Sequence, residues 1–188
     1  MRSSFNRKTT RMTIAVALLA VTAQAAAAQA KSTGSFGLGY TDVGVVVGLG
    51  GVGGASASFG GRFEHAIKAL PDMGNGVLGI QAAFDYYSWS GGTGLGGYSW
   101  KYIPIGVTAN YHFKLDEPKI DPFVGLGLGY QIITCDAPGL PSGYCSNSAI
   151  YFIGRAGARY FFSPKMAAYG DVGAGGATLN LGIMFKLN

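Results

Sequence analysis

Few side chains in this sequence can serve as nucleophile, base, metal ligand or redox partner. Its two cysteines, Cys135 and Cys145, enclose Asp-Ala-Pro-Gly-Leu-Pro-Ser-Gly-Tyr. In an exported chain two cysteines so placed suggest a disulfide. Closing a loop this short stabilises by roughly 2–3 kcal/mol on the chain-entropy account. Two thiols with no histidine nearby do not make a metal site. A second set, Arg62, Glu64, Asp85, His112, Arg155, Arg159 and Asp171, mixes both signs of charge. Gathered in one narrow space, such groups pair and fill it; where space remains, they line a polar path for ions or small solutes. There are two histidines, His65 and His112. Neither is joined by the nucleophile and orienting group that catalysis needs. No catalytic residue, metal ligand or cofactor contact is therefore assigned, and the chain is read as a non-enzyme. The glycines of Gly48–Gly54 are not a phosphate loop, because no Lys-Ser/Thr and no helix follow.

The elements that position these residues are strands. In the tail, Leu179, Leu181, Ile183, Phe185 and Leu187 alternate with Thr178, Asn180, Gly182, Met184 and Lys186. A period of two sends the two sets to opposite faces of a strand, and eleven residues is about what a tilted strand needs to cross a bilayer. Seven more segments read the same way: 34–49, 55–68, 77–90, 98–113, 122–134, 148–162 and 166–174. In the first, Phe36, Leu38 and Tyr40 are expected to face outward. Along the others, outward positions carry residues such as Phe59, Phe63, Ile80, Phe84, Ile105, Val107, Leu126, Leu128 and Phe152. Inward positions carry Arg62, Glu64, Lys68, Gln81, Asp85, Tyr87, Tyr102, Asn110, His112, Arg155, Arg159 and Asp171. Inward glycines at 125, 127, 129 and 157 are expected to leave part of the lumen unfilled. Lys114–Asp121 reads as a charged turn, and Gly175-Gly176 as a two-residue hairpin turn.

Hydrocarbon leaves no partner for an unpaired amide, so membrane strands must close into a barrel. The expected fold is all-β, an eight-stranded antiparallel up-and-down transmembrane β-barrel with both termini on the periplasmic side. Aromatic residues near the two interfaces form the expected girdle: Tyr86, Trp89 and Trp100 at the outer end, and Tyr111, Phe113, Tyr160, Phe162 and Phe185 at the periplasmic end. A soluble lipocalin-like barrel would keep its apolar face inside and carry charge outside. Here the outward positions are Leu, Ile, Val and Phe.

Residues 1–30 read as a cleaved signal peptide. Arg2, Arg7, Lys8 and Arg11 form a basic n-region, Met12–Val21 an apolar h-region, and Ala28-Gln29-Ala30 a small-x-small cleavage site. The mature chain, residues 31–188, forms one barrel domain; cleavage after Ala28 is the alternative. Of the 14 Lys+Arg four lie in residues 1–30, and none of the 9 Asp+Glu do, so 10 basic face 9 acidic residues after cleavage, a net charge of +1. The apparent basicity belongs to export, and no nucleic-acid partner is expected.

Three stretches carry a resemblance: Tyr102-Ile-Pro-Ile-Gly-Val-Thr-Ala-Asn-Tyr-His-Phe113, Pro122-Phe-Val-Gly-Leu-Gly-Leu-Gly-Tyr130 and Gly154-Arg-Ala-Gly-Ala-Arg-Tyr-Phe-Phe162. Over residues 34–187 the chain resembles small outer-membrane β-barrel proteins of the OmpA/OmpX/opacity type. The resemblance implies residence in the bacterial outer membrane. Its implied partners are membrane lipid and lipopolysaccharide, the barrel-assembly machinery during biogenesis, and a surface ligand met by the outer loops. In that family the last strand ends in an aromatic residue; here Phe185 is followed by Lys-Leu-Asn. No His-x-Ser motif of the kind carried by lipid A deacylase barrels is present. The leading functional expectation is a structural or surface-interaction role. A small pore for ions or small solutes is second, and a lipid-modifying enzyme third.

Overall fold

The computed structural model describes residues 36–50, 55–91, 97–136, 139, 141, 144 and 146–188. The expected signal peptide, the 92–96 segment and most of the loop holding Cys145 lie outside the described residues. Eight strands follow one another: β1 (Thr41–Leu49), β2 (Ala57–Leu70), β3 (Gly76–Gly91), β4 (Tyr98–His112), β5 (Ile120–Asp136), β6 (Asn147–Ser163), β7 (Met166–Ala174) and β8 (Leu179–Lys186). Each pairs antiparallel with its sequence neighbours, and β8 returns to β1 through the register Asp42↔Lys186 to Leu49↔Leu179. The sheet is thus closed, so no strand is left with an unpaired edge along the barrel.

The alternation of residue types sets the faces. Along β1, Val43, Val45, Val47 and Leu49 are exposed, while Asp42 and Val46 are buried. Phe59 and Phe63 of β2, Val124, Leu126 and Leu128 of β5, and Ile150 and Phe152 of β6 are likewise exposed. This inverts a soluble protein, as a hydrocarbon solvent requires: the outside is apolar and the charges are inside. Among the girdle residues, Phe113, Tyr160, Phe162 and Phe185 are exposed. Tyr111 lies edge-on to Phe113, and its hydroxyl donates to the Met73 carbonyl.

The strands are unequal. β3 to β6 have 16, 15, 17 and 17 residues, whereas β1, β7 and β8 have 9, 9 and 8. Pairing of β6 with β7 begins only at Gly154↔Ala174, although β6 starts at Asn147. The long strands therefore run past their neighbours at the end holding the 92–97 and 137–146 connections (the loop end). The opposite end holds 71–75, 113–119 and 164–165 and receives the start of β1 and the finish of β8 (the turn end).

Several expectations are corrected. β1 begins at Thr41, and the preceding Phe36 and Tyr40 are buried inside the turn end; only Leu38 is exposed. An aromatic side chain has more to contact in the lumen mouth than beyond the last rung of the sheet. Lys68 is not inward. A bulge between Ala66 and Lys68 inserts one residue, so Lys68 pairs with the outward Leu78. Asp121 belongs to β5 rather than to the turn, and is buried. The connection from β7 to β8 is 175–178, longer than two residues. Trp89 and Trp100 are not on the lipid face: Trp89 shares its face with buried Tyr87 and packs against the buried cluster of Ala55, Tyr87, Tyr102 and Ala177, and Trp100 stacks on Trp89 at 5.9 Å with planes 4° apart.

The inward glycines do not leave voids, a further correction. A Cβ at Gly125 would meet Asn110 Oδ1, at Gly129 the Tyr151 ring, and at Gly157 the Phe123 ring and the Gly170 carbonyl. Each is a seat for a side chain from the neighbouring strand. At Gly127 the obstruction is backbone, the Val107 carbonyl and Thr108 Cα, whereas at Gly154, on the lipid side, a Cβ meets only Leu126 at 3.7 Å. Gly127→Ala is expected to cost about 1–3 kcal/mol by overpacking, and Gly154→Ala close to nothing. Urea unfolding of both variants from lipid vesicles measures this, and equal midpoints would show that the close strand approach is not limiting.

Candidate functional site

Among the described residues, the lumen is where charged side chains gather away from water. Arg159 is its centre: the side chain is fully buried. From β6 it reaches across to three other strands. Its Nε lies 3.2 Å from Asp42 Oδ2 of β1, its Nη1 donates to Asp121 Oδ2 of β5 at 3.0 Å, and its Nη2 donates to Glu64 Oε2 of β2. His112 of β4 sits between two of these carboxylates, with Nε2 2.8 Å from Glu64 Oε1 and Nδ1 2.9 Å from Asp121 Oδ1. Gln81 and Asn110 donate to Glu64 at 2.9 and 3.0 Å. Glu64 thus meets four donor groups drawn from β3, β4 and β6. A buried ion is tolerated only when so surrounded.

Apolar rings surround this cluster. Phe36, Phe123 and Tyr169 place their ring centres 5.0, 5.5 and 5.9 Å from the Arg159 guanidinium carbon. Phe36 stacks on His112 at 3.6 Å with planes 13° apart. Low local polarity strengthens each ion pair inside and raises the cost of breaking one.

A second polar group lies further toward the loop end. Arg62 donates to Asp85 Oδ1 at 3.0 Å and to the Gly61 carbonyl at 2.9 Å. Arg155 pairs with Asp171, which also accepts from the Tyr169 hydroxyl and, at 2.9 Å, from Asn180. Arg155 also donates to the Ala177 carbonyl, tying the 175–178 connection to the lumen wall. Above this level the contents turn aromatic: Tyr87 meets Tyr102 edge-on at 5.5 Å, and Tyr102 donates to Gln131 at 2.6 Å.

The structure brings Arg62 to Asp85, Arg155 to Asp171, and Glu64, His112 and Arg159 together. Asp42 and Asp121 complete the Arg159 cluster and were absent from the sequence-derived set. Asp42 follows Thr41 where the chain enters an ambiguous Val/Gly run, and Asp121 sits beside a proline in what reads as a turn. Phe36, expected to face outward, lies inside the lumen against His112. The signal that could have found the two aspartates is the alternation itself: Asp42 adjoins the exposed Val43, and Asp121 lies two residues before the inward Phe123. His65 lies outside the lumen, exposed, with Nδ1 2.7 Å from Thr41 Oγ1. Cys135 is buried at the end of β5, and Cys145 is not among the described residues. Among the described residues no cluster of His, Cys, Asp and Glu is arranged to hold a metal ion.

A closed eight-stranded sheet, an apolar exterior and an interior of paired charges define a small outer-membrane barrel. The sequence profile of the family described as outer membrane protein beta-barrel domain matches residues 13–182, and the chain belongs to that family. Membership places it in the bacterial outer membrane. Among solved structures it is similar in fold to the outer membrane protein OprG of Pseudomonas aeruginosa, with TM-score 0.56 and 13% identity over 83% of this chain and 99% of that one. It is also similar to the N-terminal β-barrel domain of OprF from Pseudomonas aeruginosa, with TM-score 0.50 and 16% identity over 81% of this chain and 100% of that one. A search of curated proteins found no significant match.

Arg159→Leu removes the only guanidinium shared by Asp42, Glu64 and Asp121 and leaves buried carboxylates uncompensated. It is expected to destabilise the barrel by about 3–5 kcal/mol. Equilibrium unfolding from vesicles measures this. A loss below about 1 kcal/mol, the range of exposed pairs, would mean that the cluster is hydrated rather than buried.

Proposed function

We propose that this protein is a closed, non-catalytic outer-membrane barrel that serves envelope structure and surface interaction through its loop end. The observation that carries the reading is the Arg159 cluster. Side chains from β1, β2, β4, β5 and β6 meet across the lumen with almost no exposed surface. An eight-stranded barrel is only wide enough inside for its own side chains, and here the space over the inward Gly125, Gly129 and Gly157 is occupied by neighbours. The unequal strands favour the surface role. β3 to β6 stand beyond their shorter neighbours at the loop end, a rigid base for connections that meet lipopolysaccharide or a surface ligand. The paired charges offer no group free to act as base or nucleophile toward lipid, which argues against the enzyme reading. The barrel-assembly machinery is the partner during biogenesis.

Reconstituted in a planar bilayer, the protein purified from outer membranes is expected to give no discrete conductance steps. Reproducible steps would favour the small pore. Lipid A profiles of expressing and non-expressing cells are expected to match, and an altered acyl pattern would favour the enzyme.

Export and the disulfide complete the proposal. Amino-terminal sequencing of the purified protein is expected to begin at Lys31, or at Gln29 if the cleavage follows Ala28. Peptide mass spectrometry without reduction is expected to recover Cys135 joined to Cys145, with reduction lowering stability by about 2–3 kcal/mol. Alkylation of both thiols before reduction would exclude the bridge.

A further inference from the structure

The turn-end mouth of the lumen is covered by a segment that belongs to no strand. Residues Phe36–Tyr40 precede β1 and fold back under the barrel. Gly39, at φ 81°, makes the reversal that an L side chain resists. Phe36 then enters the lumen and lies flat on His112, with the Arg159 guanidinium on its ring. Its ring tip reaches β3, where the absence of a side chain at Gly79 makes room: a Cβ there would lie 3.1 Å from Phe36 Cζ. Tyr40 fills the remaining width, edge-on to Phe161 at 6.1 Å and 5.2 Å beneath the Lys186 ammonium.

The seal is apolar and wide, but among the described residues few hydrogen bonds join it to the sheet. Two backbone hydrogen bonds join it to β2, Gly39 N–H to the Ala66 carbonyl at 3.2 Å and Ala66 N–H to the Tyr40 carbonyl at 2.9 Å. The Asn188 side chain and the Thr41 hydroxyl also donate to the Gly39 carbonyl, at 3.0 and 3.5 Å. None of the ladder bonds that close the barrel depends on Phe36–Gly39. A segment held by few bonds opens at a lower free energy than the sheet on which it rests.

We propose that Phe36–Tyr40 is a displaceable plug that separates the His112–Glu64–Arg159 cluster from solvent at the turn end. Displacing it uncovers the imidazole and its carboxylate partners while the barrel stays closed. This goes beyond the reading of the lumen as filled. Conductance reports whether the lumen passes ions, whereas access to His112 reports whether the plug is seated.

The two histidines make the test internal. His65 is exposed and His112 is 2% exposed. Diethyl pyrocarbonate modification of the full protein in detergent, mapped by peptide mass spectrometry, is expected to label His65 alone in the wild type. In Phe36→Ala both histidines are expected to react, and Phe36→Leu, which refills the seat, is expected to restore protection of His112. A folded Phe36→Ala barrel with His112 still protected overturns the proposal, as does wild-type His112 reacting as fast as His65. Should Phe36→Ala fail to fold, amide hydrogen exchange on the wild type decides. Gly39 and Ala66 are expected to exchange at least about tenfold faster than ladder amides of β4 and β5, consistent with local opening. Equal protection overturns the plug.

Discussion

Hydrocarbon offers no hydrogen-bond partner to a peptide group, and the whole structure follows from that constraint. Eight strands cannot leave an edge within the membrane, so β8 must return to β1. Closure at eight strands fixes a narrow interior, and a narrow interior must be filled by side chains that water cannot reach. Polar side chains placed there can be held only by each other. The ion-paired lumen is therefore a consequence of closing a small sheet, and the apolar outer face is its complement.

Within that interior the charges are arranged in levels. At the turn end one guanidinium is shared among carboxylates from three strands, with His112 bridging two of them. Higher up, Arg62–Asp85 and Arg155–Asp171 stand as separate pairs, Arg155 also fastening the last connection. Higher still, tyrosine and tryptophan replace charge. The gradient suits the surroundings. The deepest pairs are the most enclosed, and the aromatic level lies where the long strands leave their shorter neighbours and meet the loops.

Glycine has a particular part in this packing. Closely approaching strands in a tilted barrel leave little room above the backbone, and a side chain from one strand must lie over the next. Gly125 under Asn110, Gly129 under Tyr151, Gly79 under Glu64 and Gly157 under Phe123 show the same solution. Reading inward glycine as empty space treats each strand alone. The neighbour's side chain occupies that space, and the neighbour is set by register.

The period-two pattern by itself determined the number of strands, their order, the apolar exterior and most of the inward set, because each strand crosses the same hydrocarbon and the alternation is local. It placed Arg62, Glu64, Asp85, His112, Arg155, Arg159 and Asp171 on one face. It did not reveal which of them meet, nor Asp42 and Asp121 as partners of Arg159, because those contacts cross the lumen between strands distant in sequence and depend on tilt and register. A one-residue bulge reversed Lys68, and the inward face of β3 and β4 claimed Trp89 and Trp100 from the girdle. Phe36 and Tyr40 look like lipid-facing strand residues until the barrel closes. Only the closed tertiary structure creates a mouth for them to fill, and burial against His112 and Arg159 outweighs the local pattern.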